Sequence, residues 1–176
     1  NDFSKGNIPA VVMRMALPLI AAQLVNVLYN VVDRIYIGHI PNVGSMALTG
    51  VGIALPVISI LSAFAGLFGQ GGAPLCSMAR GRGDNDEASR VMGNAFSMLL
   101  VSSVALGLLT WAFLDPVITV FAAGKEASSY AREYLAVYLI GTTFSFVSLG
   151  MNVYINAQGF ATRGMLTVLL GAAANI

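Results

Sequence analysis

The sequence predicts an all-α, polytopic bundle of transmembrane helices, and three observations carry that prediction. Of the 176 residues, 57% are hydrophobic and only 10% charged, at a mean hydropathy of +0.79. A soluble domain carries about 25% charged residues because its surface must be solvated, so these apolar residues need a lipid bilayer as their partner. Second, the apolar residues run in unbroken segments of at least the roughly 20 residues that a helix needs to cross hydrocarbon. Third, short polar connections rich in Gly, Pro and charge separate those segments. The remaining composition excludes other classes. Nine Lys and Arg against eight Asp and Glu leave a net charge of +1, which offers nucleic acid no electrostatic footprint. Cys76 is the only cysteine and His39 the only histidine, so neither a disulfide nor a Cys- or His-rich metal site is expected.

A polar N-terminal segment, residues 1–9, leads into the first span at 10–38. That span is longer than the apolar core of a signal peptide and lacks a small-residue cleavage pattern, so it is read as a retained helix. Residues 39–45 form a polar turn with Pro41 and Gly44, and the second span covers 46–78. Residues 79–90 are the most charged stretch, in which Asp84 followed by Glu87 predicts a capping box for the third span at 91–114. Asp115-Pro116 is expected to end that helix, and Lys125, Glu126, Arg132 and Glu133 mark a short amphipathic piece before the fourth span at 134–157. A fifth apolar run occupies 165–176. Twelve helical residues rise only about 18 Å, short of the ~30 Å core. This helix is expected to be incomplete, with the missing helices of the same chain as its partners.

Lys and Arg near helix ends set orientation. With the N-terminus inside, Lys5, Arg14, Arg80, Arg82, Arg90 and Arg163 are cytoplasmic, whereas Arg34, Lys125 and Arg132 lie outside. Six against three predicts a cytoplasmic N-terminus in a multi-pass protein of the plasma membrane.

The first helix is too polar for a simple anchor. Gln23, Asn26, Asn30, Asp33 and Arg34 fall on one face about 100° wide. A charged side chain at the bilayer centre costs about 2.5–3.5 kcal/mol on insertion scales unless it is paired or faces water. Asp33 is therefore either a snorkelling or paired residue of the helix end, or a group inside a cavity that takes a proton or offers hard oxygens to sodium. The polar stripe favours the second reading, with Gln23, Asn26 and Asn30 as cavity-lining residues. The fourth helix repeats the pattern with Ser145, Ser148, Asn152 and Asn156. Such groups often join membrane helices, but Asn152 and Asn156 are also candidates for the cavity wall.

Other signals point to structure. Gly66, Gly69, Gly71 and Gly72 have no preceding strand and no following Lys-Ser/Thr, so close helix packing explains them better than a phosphate loop. Pro18 and Pro56 lie within helices as kink positions. Asp84-Asn85-Asp86 lacks the glycine and glutamate of a calcium loop. With no Ser-x-x-Lys or Gly-x-Ser-x-Gly pattern, no catalytic set is visible and an enzyme is not expected.

Several stretches together resemble the multidrug and toxic compound extrusion (MATE) transporters. Tyr29-Asn30-Val31-Val32-Asp33-Arg34-Ile35-Tyr36-Ile37-Gly38 is similar to the end of that family's first helix. Ala47-Leu48-Thr49-Gly50-Val51-Gly52 and the Pro56 region resemble the opening of its second. Residues 69–83 resemble the boundary between its second and third helices. Asn156-Ala157-Gln158-Gly159 and Gly171-Ala172-Ala173-Ala174-Asn175-Ile176 resemble its fourth-to-fifth helix region. The resemblance implies twelve helices in two pseudo-symmetric lobes, of which this chain supplies the first part of the first. It implies multidrug efflux, with organic, often cationic, compounds exchanged for protons or sodium ions and no other cofactor. It also implies that Asp33 and Asn175 are cation-coupling residues. Arg34 directly after the aspartate departs from many members. Two alternatives remain at this point: a lipid-linked oligosaccharide flippase, which needs a strongly basic cavity, and a non-transporting membrane scaffold subunit.

Overall fold

The computed structural model describes residues 7–121 and 124–175. Six α-helices follow one another: α1 (Ile8–Gly38), α2 (Gly44–Gly81), α3 (Asn85–Ala112), α4 (Leu114–Phe121), α5 (Lys125–Ala157) and α6 (Ala161–Asn175). Of these, α1, α2, α3 and α5 are long and apolar enough to cross a membrane. Residues 1–6 of the predicted N-terminal segment lie outside the described residues.

Helix α5 begins nine residues ahead of the apolar run at 134, because hydropathy marks the stretch suited to hydrocarbon, whereas backbone hydrogen bonding extends the helix beyond it. The residues read as a separate amphipathic piece are its opening turns, with Glu126 favourably placed at the positive end of the helix dipole. Asp115-Pro116 does not end α3, which stops at Ala112. Both residues sit in the first turn of α4, where proline's missing N–H leaves no helical bond unmade. Arg132 Nε donates to Asp115 Oδ1 at 2.8 Å and ties α4 back onto α5.

Helices α2, α3 and α5 form the core. The buried residues of α2 recur every three or four positions, through Ala54, Val57, Leu61, Ala65, Gly69, Ala73, Cys76 and Ala79. Those of α5 do the same from Ala127 to Tyr154. These matching stripes let α2 and α5 run parallel and in close contact. Gly50 lies against Tyr130 and Ala131, Gly69 against the backbone of Gly150, and Gly72 against the Tyr154 hydroxyl. Ser77 Oγ donates to Ala157 O at 3.4 Å near the far end. Gly69 and Gly72 therefore do what their spacing predicts, whereas a methyl group added at Gly71 would meet nothing. Leu99 of α3, fully buried, packs into the notch at Gly150. Tyr154 is also fully buried and donates its hydroxyl proton to Phe68 O at 3.0 Å, so its polar atom is satisfied inside the bundle.

The α2–α3 turn shows how local sequence aims the helices. Gly83 adopts φ +80, a conformation that disfavours a side chain. Asp84 then caps α3 by accepting from Glu87 N at 2.9 Å. Only half of the predicted capping box forms, since the Glu87 carboxylate accepts from Arg82 Nη2 at 2.8 Å instead of reaching back to Asp84 N. Asp84→Ala is expected to destabilise the protein by about 0.5–2 kcal/mol, measurable by thermal unfolding in detergent. Asp84→Asn, which keeps the accepting oxygen, is expected to stay near wild type.

Helices α1 and α6 pack together along one flank, α1 also touching α2 and α6 touching α5. Ala22 is the only buried residue of α1. Large apolar side chains cover the outside of the bundle, among them Leu28 at 62% exposure, Ile140 at 74% and Phe144 at 79%. A surface of this kind is stable against acyl chains and not against water.

Candidate functional site

The last turns of α1, the start of α2 and the start of α5 meet at one end of the bundle. The five-residue connection after Gly38 forces α2 to return beside α1, with Asn42 in the left-handed region at φ 68. The parallel pairing of α2 with α5 brings the first turns of α5 to the same level. Between them lies a cavity of about 510 Å³. Its α1 wall carries Asn30, Asp33, Arg34 and Tyr36, whose spacing of three and four residues puts them on neighbouring turns. Val51 and Leu55 of α2 supply an apolar wall, and Tyr134 of α5 faces the two charges.

Asp33 is half-buried at this wall, whereas Asn30 and Arg34 are exposed. Asn30 Nδ2 donates to Asn26 O at 2.7 Å and to Asn26 Oδ1 at 3.0 Å, which fixes the Asn30 amide along the helix and leaves its oxygen facing away from that pair. Among the described residues no carboxylate forms an ion pair with Arg34. Adjacent helical side chains diverge by about 100°, so Asp33 and Arg34 enter the same cavity from different directions. The wall thus presents one carboxylate, one guanidinium, an amide and two phenols beside aliphatic surface. It can hold a small cation against Asp33, or an organic molecule whose polar groups meet the α1 side and whose hydrocarbon meets α2.

The predicted residues divide. Asn30 and Asp33 line the cavity. Gln23 is exposed and Asn26 half-buried, both on α1 but outside the cavity, with Asn26 acting through its bonds to Asn30. Asn152 and Asn156 do not line it either. They lie about 27 Å or more along α5 from Tyr134, where they join α5 to α6. Asn152 Nδ2 donates to Gly164 O at 3.1 Å and to Thr167 Oγ1 at 2.8 Å, and Asn156 Nδ2 donates to Asn152 Oδ1 at 2.9 Å. Gly164 makes room for the Asn156 side chain, since any Cβ there would meet its amide oxygen. The packing reading of this stripe therefore describes their geometry. Asn175 closes α6, and its side chain lies outside the described residues. Tyr36, Tyr134, Val51 and Leu55 were not singled out from sequence. Tyr36 is legible as Asp33 plus three on the same helix, but no local pattern shows that α5 brings Tyr134 to this wall.

The family model MatE matches residues 18–176. The multidrug export protein MepA of Staphylococcus haemolyticus is 25% identical over 174 residues, covering 99% of this chain and 38% of MepA. MepA of Staphylococcus aureus is likewise 25% identical over 178 residues, with the same coverage. Among solved structures, one described as "protein A" superposes with a TM-score of 0.88 at 34% identity, over 94% of this chain and 37% of the other. A MOP superfamily transporter from Pyrococcus furiosus superposes with a TM-score of 0.87 at 25% identity, over 96% of this chain and 36% of that one. The chain thus spans less than two fifths of the length of these relatives.

Proposed function

Since the chain belongs to the MatE family, we propose that it is the opening portion of a secondary active multidrug exporter in the plasma membrane, with its N-terminus cytoplasmic and Asp33 as a cation-coupling group. The observation that carries the reading is the half-buried Asp33 carboxylate on the wall of a cavity with mixed polar and apolar lining, inside a bundle whose outside suits lipid. The similarity to the MepA multidrug export proteins supports the same direction.

In the proposed cycle a proton or sodium ion reaches Asp33 from the outer end and neutralises it. The free energy of that binding is linked to release of an organic substrate from the same cavity, because each lowers the affinity for the other. Asn30, held by Asn26, supplies a fixed dipole beside the carboxylate. Asn175 is proposed to join the coupling site. Rearrangement of α1 is easiest near Pro18, where one intrahelical bond is missing. The chain's polar residues bind and release, and no bond-making step is proposed.

The test places the full-length parent in liposomes and follows efflux of a fluorescent organic cation under separately imposed proton and sodium gradients. Efflux under one gradient establishes the exchange and names the ion. Absence of efflux under both, from protein shown to be folded, removes this function. A cysteine placed at Asn30 is expected to react with a water-soluble maleimide added from outside. Protection of that cysteine in the folded protein would favour a buried scaffold contact over a water-filled cavity.

A further inference from the structure

At the end of the bundle opposite the Asp33 cavity, we propose a binding site for a single phosphate group, carried by a phospholipid headgroup or by free phosphate. The site stands apart from the export reading. The last turns of α2, the opening turns of α3 and Gln158 after α5 meet there around a second cavity of about 90 Å³. Arg80 on its wall lies roughly 38 Å along α2 from Leu55 of the first cavity. The space equals about three waters, which admits a tetrahedral oxyanion, whereas sites for drug-sized molecules begin at about 300 Å³.

Cys76 and Ala88 are buried in the wall, and the thiol is already given to Ala88 O at 3.6 Å. Arg80, Asn85, Ser89 and Gln158 bring side-chain donors to the same space. Gln158 Nε2 donates to Met92 Sδ at 3.5 Å. A thioether is a weak acceptor, so this half-buried amide gains from an oxygen. Among the described residues Arg80 forms no ion pair, and it is the only charged group lining the cavity. The acidic side chains of the turn serve elsewhere. Asp84 accepts from Glu87 N, Glu87 pairs with Arg82, and neither they nor Asp86 line the space. One cation among neutral donors favours an anion with several acceptor oxygens. A guanidinium meets two phosphate oxygens in parallel, and the hydroxyl and amides reach the others. Phe96 falls on the same face of α3 as Asn85, Ser89 and Met92 and is 40% exposed. Apolar surface thus continues from the cavity along the spanning part of α3, where the tail of a bound phospholipid would lie.

The experiment uses the full-length parent in detergent with two probes, phosphatidylglycerol and inorganic phosphate, each titrated alone. Native mass spectrometry counts the bound lipid, and the rise in unfolding temperature reads the phosphate. Wild type is expected to hold one phosphatidylglycerol tightly. Arg80→Gln is expected to weaken its Kd about tenfold, the effect of one lost charge-assisted hydrogen bond, and Ser89→Ala about threefold. Arg90→Gln removes the same charge beside the cavity without touching its lining, and its Kd should match wild type. All three side chains are exposed, so each variant is expected to fold. Equal weakening by Arg80→Gln and Arg90→Gln marks a diffuse attraction of this end for anionic lipid and overturns the site. An unchanged Kd in Arg80→Gln overturns it too; a lower unfolding temperature beside it would assign Arg80 to the negative end of the α2 dipole. Arg80-dependent binding of inorganic phosphate without the lipid keeps the site and removes the lipid as its source. Binding of neither probe overturns the proposal.

Discussion

Asp33→Asn is expected to lower gradient-driven efflux by about 5–150-fold, the range spanned by a typical coupling free energy, without a matching fall in expression or thermal stability. Asparagine has nearly the same size and keeps a hydrogen-bonding oxygen, so the half-buried wall can close around it much as before. What it lacks is a negative charge and a titratable proton. If the carboxylate couples ion entry to substrate release, removing those two properties uncouples them while the bundle stays folded. If Asp33 serves only the packing of the α1 end, the opposite pattern appears: a lower unfolding temperature with efflux per folded molecule unaltered. Asp33→Glu keeps the charge but extends it by one methylene, and an intermediate rate is expected. Efflux from liposomes under an imposed proton or sodium gradient, normalised to folded protein, measures all three. An asparagine variant that transports at the wild-type rate takes Asp33 out of the coupling mechanism.

Gly69→Ala is expected to damage the contact between α2 and α5. Its Cβ would come within 2.9 Å of Gly150 Cα and 3.0 Å of Gly150 O. Both are backbone atoms of a continuous helix and cannot turn aside. Helices α2 and α5 would have to separate, and the gap would propagate along a parallel interface that depends on small residues. Alanine is the better helix former by about 1 kcal/mol, which offsets part of an overpacking cost of about 1–3 kcal/mol. Loss of the extended contact raises the penalty further, since close backbone approach is what holds membrane helices together. Gly150→Ala is expected to be milder, because the atoms in its way belong to the Leu99 side chain, which has other rotamers. Gly71→Ala meets no neighbour and should be neutral or slightly stabilising. Unfolding temperatures of the three variants in detergent rank them. Equal stability of Gly69→Ala and Gly71→Ala would show that the α2–α5 contact tolerates separation.

The candidate site divides between what local pattern reveals and what it conceals. Asn30 and Asp33 were legible because a charge and an amide on one face of an apolar helix violate the rule for lipid contact, and such violations mark either a cavity or a partner. The same logic, applied to Asn152 and Asn156, proposed the cavity and met a helix joint instead. Polarity within an apolar helix says that a side chain needs a polar environment. It does not say whether water, a ligand or another amide supplies it. Asn26 illustrates the point within α1 itself, since its polar partner is Asn30.

The sequence by itself determined the all-α class, the four spans and the close contacts at Gly69 and Gly72. Each of these follows from the one-dimensional order of apolar, small and turn-forming residues along a helix whose geometry is the same everywhere. It also determined the Asp84 cap, a contact between residues three apart. Only the tertiary structure decided that α2 and α5, the second and fourth spans, pack directly against each other. That arrangement places Tyr134 opposite Asp33 and Arg34, and it sends Asn152 and Asn156 to α6. The physical reason is that a helix specifies which residues share its own face, while the neighbour met by that face depends on how several stripes are buried together.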